Sequence, residues 1–278
     1  MNRTGQPPGR SDPLVRALDQ AAQALRAGRP TEAERFAAPV LAAEPDNLLA
    51  AQVLGTALLM QGRPADAVEP LERAARRSAD PSTGIYFARA LAAVGRRDEA
   101  LAQLRECAAQ RPPFVQAFLE LGDQLGEAGH HDEAAEVFET GLSLLPEAAV
   151  LRIGLGYVYL RRNDRTKARE LFMQVREAAP ERRDAAIALG RVMALDGETA
   201  AAVDLFRLAL SSLPRDPLVC IELGKCLLDL GERESGEAMI RAGSRGPAQW
   251  GPALRSLAAG AYGRMFLRPS SAARFLES

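Results

Sequence analysis

One spacing constrains this chain more than anything else in it. Gly28, Gly62, Gly95, Gly129, Gly197 and Gly231 recur at close to 34-residue steps, and Asn163 fills the slot that lacks a glycine. Pro112, Pro146, Pro180 and Pro214 keep the same step without drift, and Pro45 sits in the same frame. Five residues after each turn residue stands a small one: Ala33, Ala67, Ala100, Ala134, Ala168, Ala202 and Gly236. Four further on comes a large apolar residue, Leu71, Leu104, Phe138, Phe172, Phe206 or Ile240, with Ala37 the exception. A Leu-Gly pair precedes the turn at Leu54-Gly55, Leu121-Gly122, Leu155-Gly156, Leu189-Gly190 and Leu223-Gly224. Repetition of this length marks a stack of supersecondary units, none of which buries its apolar face alone.

Each mark has a physical reading. Apolar residues at i, i+3, i+4 and i+7 give two amphipathic helices per unit. The turn Gly or Asn takes the left-handed conformation that ends the first helix. The proline closes the second helix, because it cannot continue the hydrogen-bond ladder. The glycine of each Leu-Gly pair lies inside a helix, where it costs about 1 kcal/mol against alanine. A recurring penalty of that kind predicts close approach of two helices. Asp80-Pro81 and Asp216-Pro217 read as N-cap and N1 residues. With aromatics at only 5% and alanine abundant, the chain is expected to be all-α.

These residues resemble the tetratricopeptide repeat (TPR) family, in its bacterial scaffold or adaptor form. The resemblance implies a right-handed α-solenoid of about seven and a half helix-turn-helix repeats. It places a flexible tail at 1–12 and one solenoid at 13–278, with repeats at 14–47, 48–80, 81–114, 115–148, 149–182, 183–216 and 217–252. A partial repeat follows at 253–278, where "LRPSSAARFL" matches the layout of "GRPADAVEPL" with Leu267 in place of the turn glycine. Trp250, in the junction "GSRGPAQWGP", is expected to pack rather than bind.

Catalytic patterns are missing from the sequence: it holds no phosphate-binding glycine loop, no H-E-x-x-H and no G-x-S-x-G. Cys107, Cys220 and Cys226 form no C-x-x-C, and their helix positions suit small buried hydrophobes. The chain is therefore expected to be no enzyme, with no cofactor and no metal. The two histidines, His130 and His131, precede Asp132 and Glu133 and so imitate a ligand cluster. In repeat register they fall in a turn, Asp132 aligns with Thr31, Asp98 and Thr166 as an expected N-cap, and Glu133 suits the helix dipole. A net charge of −1 argues against general nucleic-acid binding. No stretch reads as a signal peptide or membrane span, so a cytoplasmic chain without membrane insertion is expected.

Function then falls to the surface. The resemblance implies that first helices line a concave groove and bind a protein or peptide segment there. Carried onto this sequence, the groove positions give Tyr86, Arg89, Glu120, Asp123, Tyr157, Arg161, Arg191, Glu222 and Lys225. Tyrosine and arginine are common interface hot spots. The first repeats are more apolar there, with Leu18, Leu49, Leu59 and Met60. No repeat pairs Lys and Asn as a chaperone-tail carboxylate clamp does. The expected role is a scaffold or adaptor; the alternatives are a recognition or substrate-presenting subunit of a modifying or assembly enzyme, and self-assembly into homo-oligomers.

Overall fold

A computed structural model describes residues 13–244, 247–259, 272–273 and 275–276. Fifteen helices and no strand occur among the described residues. The first members of the helix pairs are α1 (Pro13–Arg26), α3 (Leu48–Met60), α5 (Pro81–Ala93), α7 (Val115–Glu127), α9 (Ala149–Arg161), α11 (Arg183–Leu195) and α13 (Pro217–Asp229). The second members are α2 (Pro30–Ala43), α4 (Pro64–Arg77), α6 (Arg97–Ala109), α8 (His131–Leu144), α10 (Arg165–Ala178), α12 (Thr199–Ser212) and α14 (Arg233–Gly243). The last helix, α15 (Pro247–Ala259), opens ahead of residue 253, so the eighth first helix starts earlier than the sequence register suggests. Trp250 lies inside α15 and packs against a cluster containing Ile221, Leu228 and Ile240. The tail at 1–12, Leu267 and most of "LRPSSAARFL" lie outside the described residues.

The chain divides into two compact units, Met1–Glu133 with Ser143–Leu145, and Ala134–Leu142 with Pro146–Ser278. In the first, α1 to α7 touch in sequence, and each odd-numbered helix also touches the next odd one. The second repeats this from α9 to α15. Contact with the neighbour and the next-but-one is the signature of an α-solenoid.

The turns behave as the spacing predicts. Gly28, Gly62, Gly95, Gly129, Gly197 and Gly231 have φ between +67° and +85°, and Asn163 stands at +60°. Asparagine is among the few non-glycine residues that tolerate this region. The Leu-Gly glycines also have the expected cause. A Cβ built on Gly156 would lie 2.7 Å from Phe172 Cζ, one on Gly190 2.9 Å from Phe206 Cε1, and one on Gly224 2.6 Å from Ile240 Cγ1. Gly154 faces Phe138 Cζ in the same way, at 2.6 Å. The periodic partners Leu71, Leu104, Phe138, Phe172, Phe206 and Ile240 are all fully buried, as are Ala33, Ala67, Ala100, Ala134, Ala168 and Ala202. Sequence spacing thus translates into a side chain packed on the glycine inside a helix pair, a ring at Gly156 and Gly190 and an aliphatic chain at Gly224, whereas the Gly154–Phe138 contact joins α9 to the preceding α8.

Capping departs from expectation in the second helices. These begin two residues after the turn residue. In α2, α4 and α6 the N-cap therefore falls on Arg29, Arg63 and Arg96, which offer no side-chain cap, while in α10 it falls on Asp164, which accepts from Lys167 N–H at 3.2 Å. Asp132 therefore lies within the first turn of α8, as do Thr31 in α2, Asp98 in α6 and Thr166 in α10. There the acids suit the dipole rather than accept the cap bond. The two aspartates before proline do cap: Asp80 accepts from Ser82 N–H at 3.0 Å and Asp216 from Val219 N–H at 3.0 Å. Asp216 also pairs with Arg183. Burial alone would raise its pKa, but the Val219 N–H and the Arg183 guanidinium outweigh this and hold it below the usual Asp range. A lowered folded pKa contributes stability that is full above the ordinary range and lost as pH falls through the folded value. Asp216→Ala is expected to cost about 1–2 kcal/mol at neutral pH. That loss should shrink on acidification; a pH-independent loss in denaturant titrations would refute the assignment.

Candidate functional site

Two ladders of polar side chains run along the first helices, one in each compact unit. In the first unit Arg89, on α5, donates from Nε and Nη2 to Glu120 Oε2 on α7, at 2.8 and 2.5 Å. The same guanidinium lies 5.9 Å from the Tyr86 ring centroid, within cation–π range. Glu120 holds the Arg89 charge above its usual range, and Asp123 adds to it. The Glu120 side chain is 16% exposed against 47% for Arg89, so the acid is the inner member.

In the second unit Arg191, on α11, reaches both ways. Its Nη1 donates to the Tyr157 hydroxyl on α9 at 3.4 Å, and its Nε donates to Glu222 Oε1 on α13 at 3.2 Å. The Tyr157 ring stacks obliquely on Phe172, with centroids 5.3 Å apart. Burial pushes the Tyr157 phenol up, with Arg191 opposing, so it stays protonated and can donate. Arg161 lies one turn beyond Tyr157 and is exposed, while Lys225 lies one turn beyond Glu222 and is half-buried. Exposed ion pairs contribute only about 0–1 kcal/mol each. Their effect here is positional: each arginine is held in one orientation by the next repeat.

These side chains stand on the first helices, as the repeat register predicts, but the register does not predict their pairing. A signal exists, because both Arg–Glu pairs are separated by the same 31 residues. Nor does the register predict the pocket of about 320 Å³ in the first unit, lined by Ala22, Leu25, Arg26, Leu49, Gln52, Val53, Thr56, Met60 and Tyr86. Leu49 and Met60 were among the apolar positions noted, whereas Leu18 packs instead against Ala21, Ala37 and Val53.

Nucleophilic chemistry finds little support. Cys107, Cys220 and Cys226 are buried. Burial pushes the Cys107 thiol up and the Cys226 thiol up to about 11, the opposite of an activated thiolate. His130 Nδ1 lies 3.4 Å from Glu133 Oε1, while His131 Nδ1 is buried without a hydrogen-bond partner among the described residues. No group of three His, Cys, Asp or Glu side chains converges as a metal site among the described residues. No described helix is long and apolar enough to cross a membrane.

Helix pairs stacked on their neighbours within each unit define a helical-repeat protein. Tetratricopeptide repeat models match residues 18–82 and 87–149, 126–192 and 184–207. The chain belongs to the tetratricopeptide repeat family. It is 27% identical over 129 residues to the small glutamine-rich tetratricopeptide repeat-containing protein 2 of Mycosarcoma maydis, a match covering 45% of this chain and 33% of that protein. The match thus spans about a third of that relative's length. A tetratricopeptide repeat protein of Parabacteroides merdae superposes with a TM-score of 0.67 at 14% identity, over 95% of this chain and 97% of that one. A thermophilic TPR protein of Thermus thermophilus gives 0.54 at 23% identity, over 64% and 97%. Identities this low speak to the fold.

Proposed function

We infer that this chain is a protein–protein interaction scaffold or adaptor that holds a peptide or protein segment against its first helices. TPR proteins as a family mediate protein–protein interaction, which is the coarse role. The finer placement rests on one observation: the Tyr157–Arg191–Glu222 relay, in which three successive first helices present bonded polar groups. Side chains fixed before binding lose less entropy on complex formation. Arg161 and Lys225 flank the relay in the second unit, and Tyr86, Arg89, Glu120 and Asp123 offer a contact surface of the same kind in the first. In this reading the chain acts in the cytoplasm without a catalytic step of its own.

Affinity purification with the chain as bait, followed by calorimetric titration of the retained protein, tests the reading. Tyr157→Ala combined with Arg191→Ala is expected to weaken that complex about tenfold or more, at an unchanged far-UV spectrum. Equal affinity in the double variant would remove the relay from the binding surface.

A further inference from the structure

The pocket on α1, α3 and α5 differs from the ladders in chemistry. Leu25, Leu49, Val53 and Met60 give it apolar walls, and Leu49 and Met60 remain 52% and 50% exposed. Among the described residues Arg26 is the only charged side chain that lines it. Arg89 and Arg191 are each engaged by a glutamate of the next repeat. Arg26, by contrast, is exposed and has no ion-pair partner among the described residues. It sits in the last turn of α1, and no acid among the described residues lines the pocket beside it.

We propose that this pocket takes a large apolar side chain of a partner protein segment whose neighbouring residue is acidic, with that carboxylate paired to Arg26. The proposal rests on the reading that the first helices bind a protein segment, and it names the chemistry of one end of that segment. Wet apolar walls gain by covering a leucine-like or aromatic side chain. Methionine adapts its shape to such a guest. A lone cation at the rim selects an acid through charge complementarity and rejects a basic neighbour. A volume near 320 Å³ lies at the lower end of ligand pockets, about 300–1,000 Å³, which suits side chains rather than a whole cofactor. The chain's own tail does not meet the requirement, since its one large apolar side chain apart from proline is Met1, whose neighbour is Asn2 rather than an acid.

Random linear peptides displayed on phage, selected on the intact chain, supply the test. The expected consensus sets Leu, Phe or Trp beside Asp or Glu. Leu49→Asp should then weaken the selected peptides about tenfold or more. Arg26→Glu should turn the consensus from acidic to basic. Both substitutions change exposed side chains, so thermal melting provides the folding control. A consensus without acids, or peptides indifferent to Leu49→Asp, would overturn the proposal. Peptides that depend on Tyr157 and Arg191 alone would leave the scaffold reading standing while this pocket assignment falls. A dimer in sedimentation that Leu49→Asp dissolves would make a second copy the occupant and also overturn it. Recovery of no peptide would count against both readings.

Discussion

Gly156→Leu is expected to destabilise the second unit. Even a bare Cβ at residue 156 would stand 2.7 Å from Phe172 Cζ and 2.9 Å from Cδ1. Phe172 is fully buried, so its ring has no open space to swing into. The backbone of α9 or α10 must shift instead, and overpacking of this kind costs about 1–3 kcal/mol or more. Replacing a helical glycine returns up to about 1 kcal/mol in propensity, which is the smaller quantity. Toward the upper end of the overpacking range the net loss is about 2 kcal/mol or more, and it should appear as a lowered denaturation midpoint. Gly95→Ala offers the contrast: nothing lies within 4 Å of its would-be Cβ, so only its φ of +85° is penalised. That cost is about 1–2 kcal/mol. If the two variants melted alike, close packing would not explain the Leu-Gly pairs.

The same contrast explains how far the sequence could be read. Turn glycines and the Gly156–Phe172 contact were legible because each is fixed within one repeat, by a residue type and a constant offset. Asn163 was legible for the same reason, since a left-handed turn admits few residues. The N-cap register was misjudged because threonine and aspartate at Thr31, Asp98 and Asp132 imitate caps from inside the first turn, while the cap residues of α2, α4 and α6 are arginines with no capping oxygen and that of α10 is Asp164. The Arg89–Glu120 and Arg191–Glu222 bonds depend on how one first helix is rotated against the next. A within-repeat pattern does not carry that information. The pocket at Ala22 needed still more, as its walls come from three helices and its volume depends on side-chain lengths.

Phe172→Ala carries the second large effect, and it joins the core to the candidate site. Emptying a fully buried phenylalanine position costs about 3–5 kcal/mol. The ring is also the surface on which Tyr157 rests, at a centroid distance of 5.3 Å. Without it, the hydroxyl that accepts from Arg191 loses its fixed position, and the relay to Glu222 loses one end. Gly156→Leu and Phe172→Ala should therefore not add. The leucine grows toward the volume that the ring vacates, so the double variant is expected to be more stable than the sum of the single losses predicts. A favourable coupling of about 1–3 kcal/mol lies within the range for residues in direct contact. Urea denaturation of the wild type, both single variants and the double variant measures it. Strict additivity would mean that the glycine and the ring do not share one space. The double variant should nonetheless bind the partner segment less well than wild type, because leucine fills the core without offering Tyr157 an aromatic face. Recovery of stability without recovery of affinity would show that this phenylalanine orients the polar ladder as well as filling the repeat.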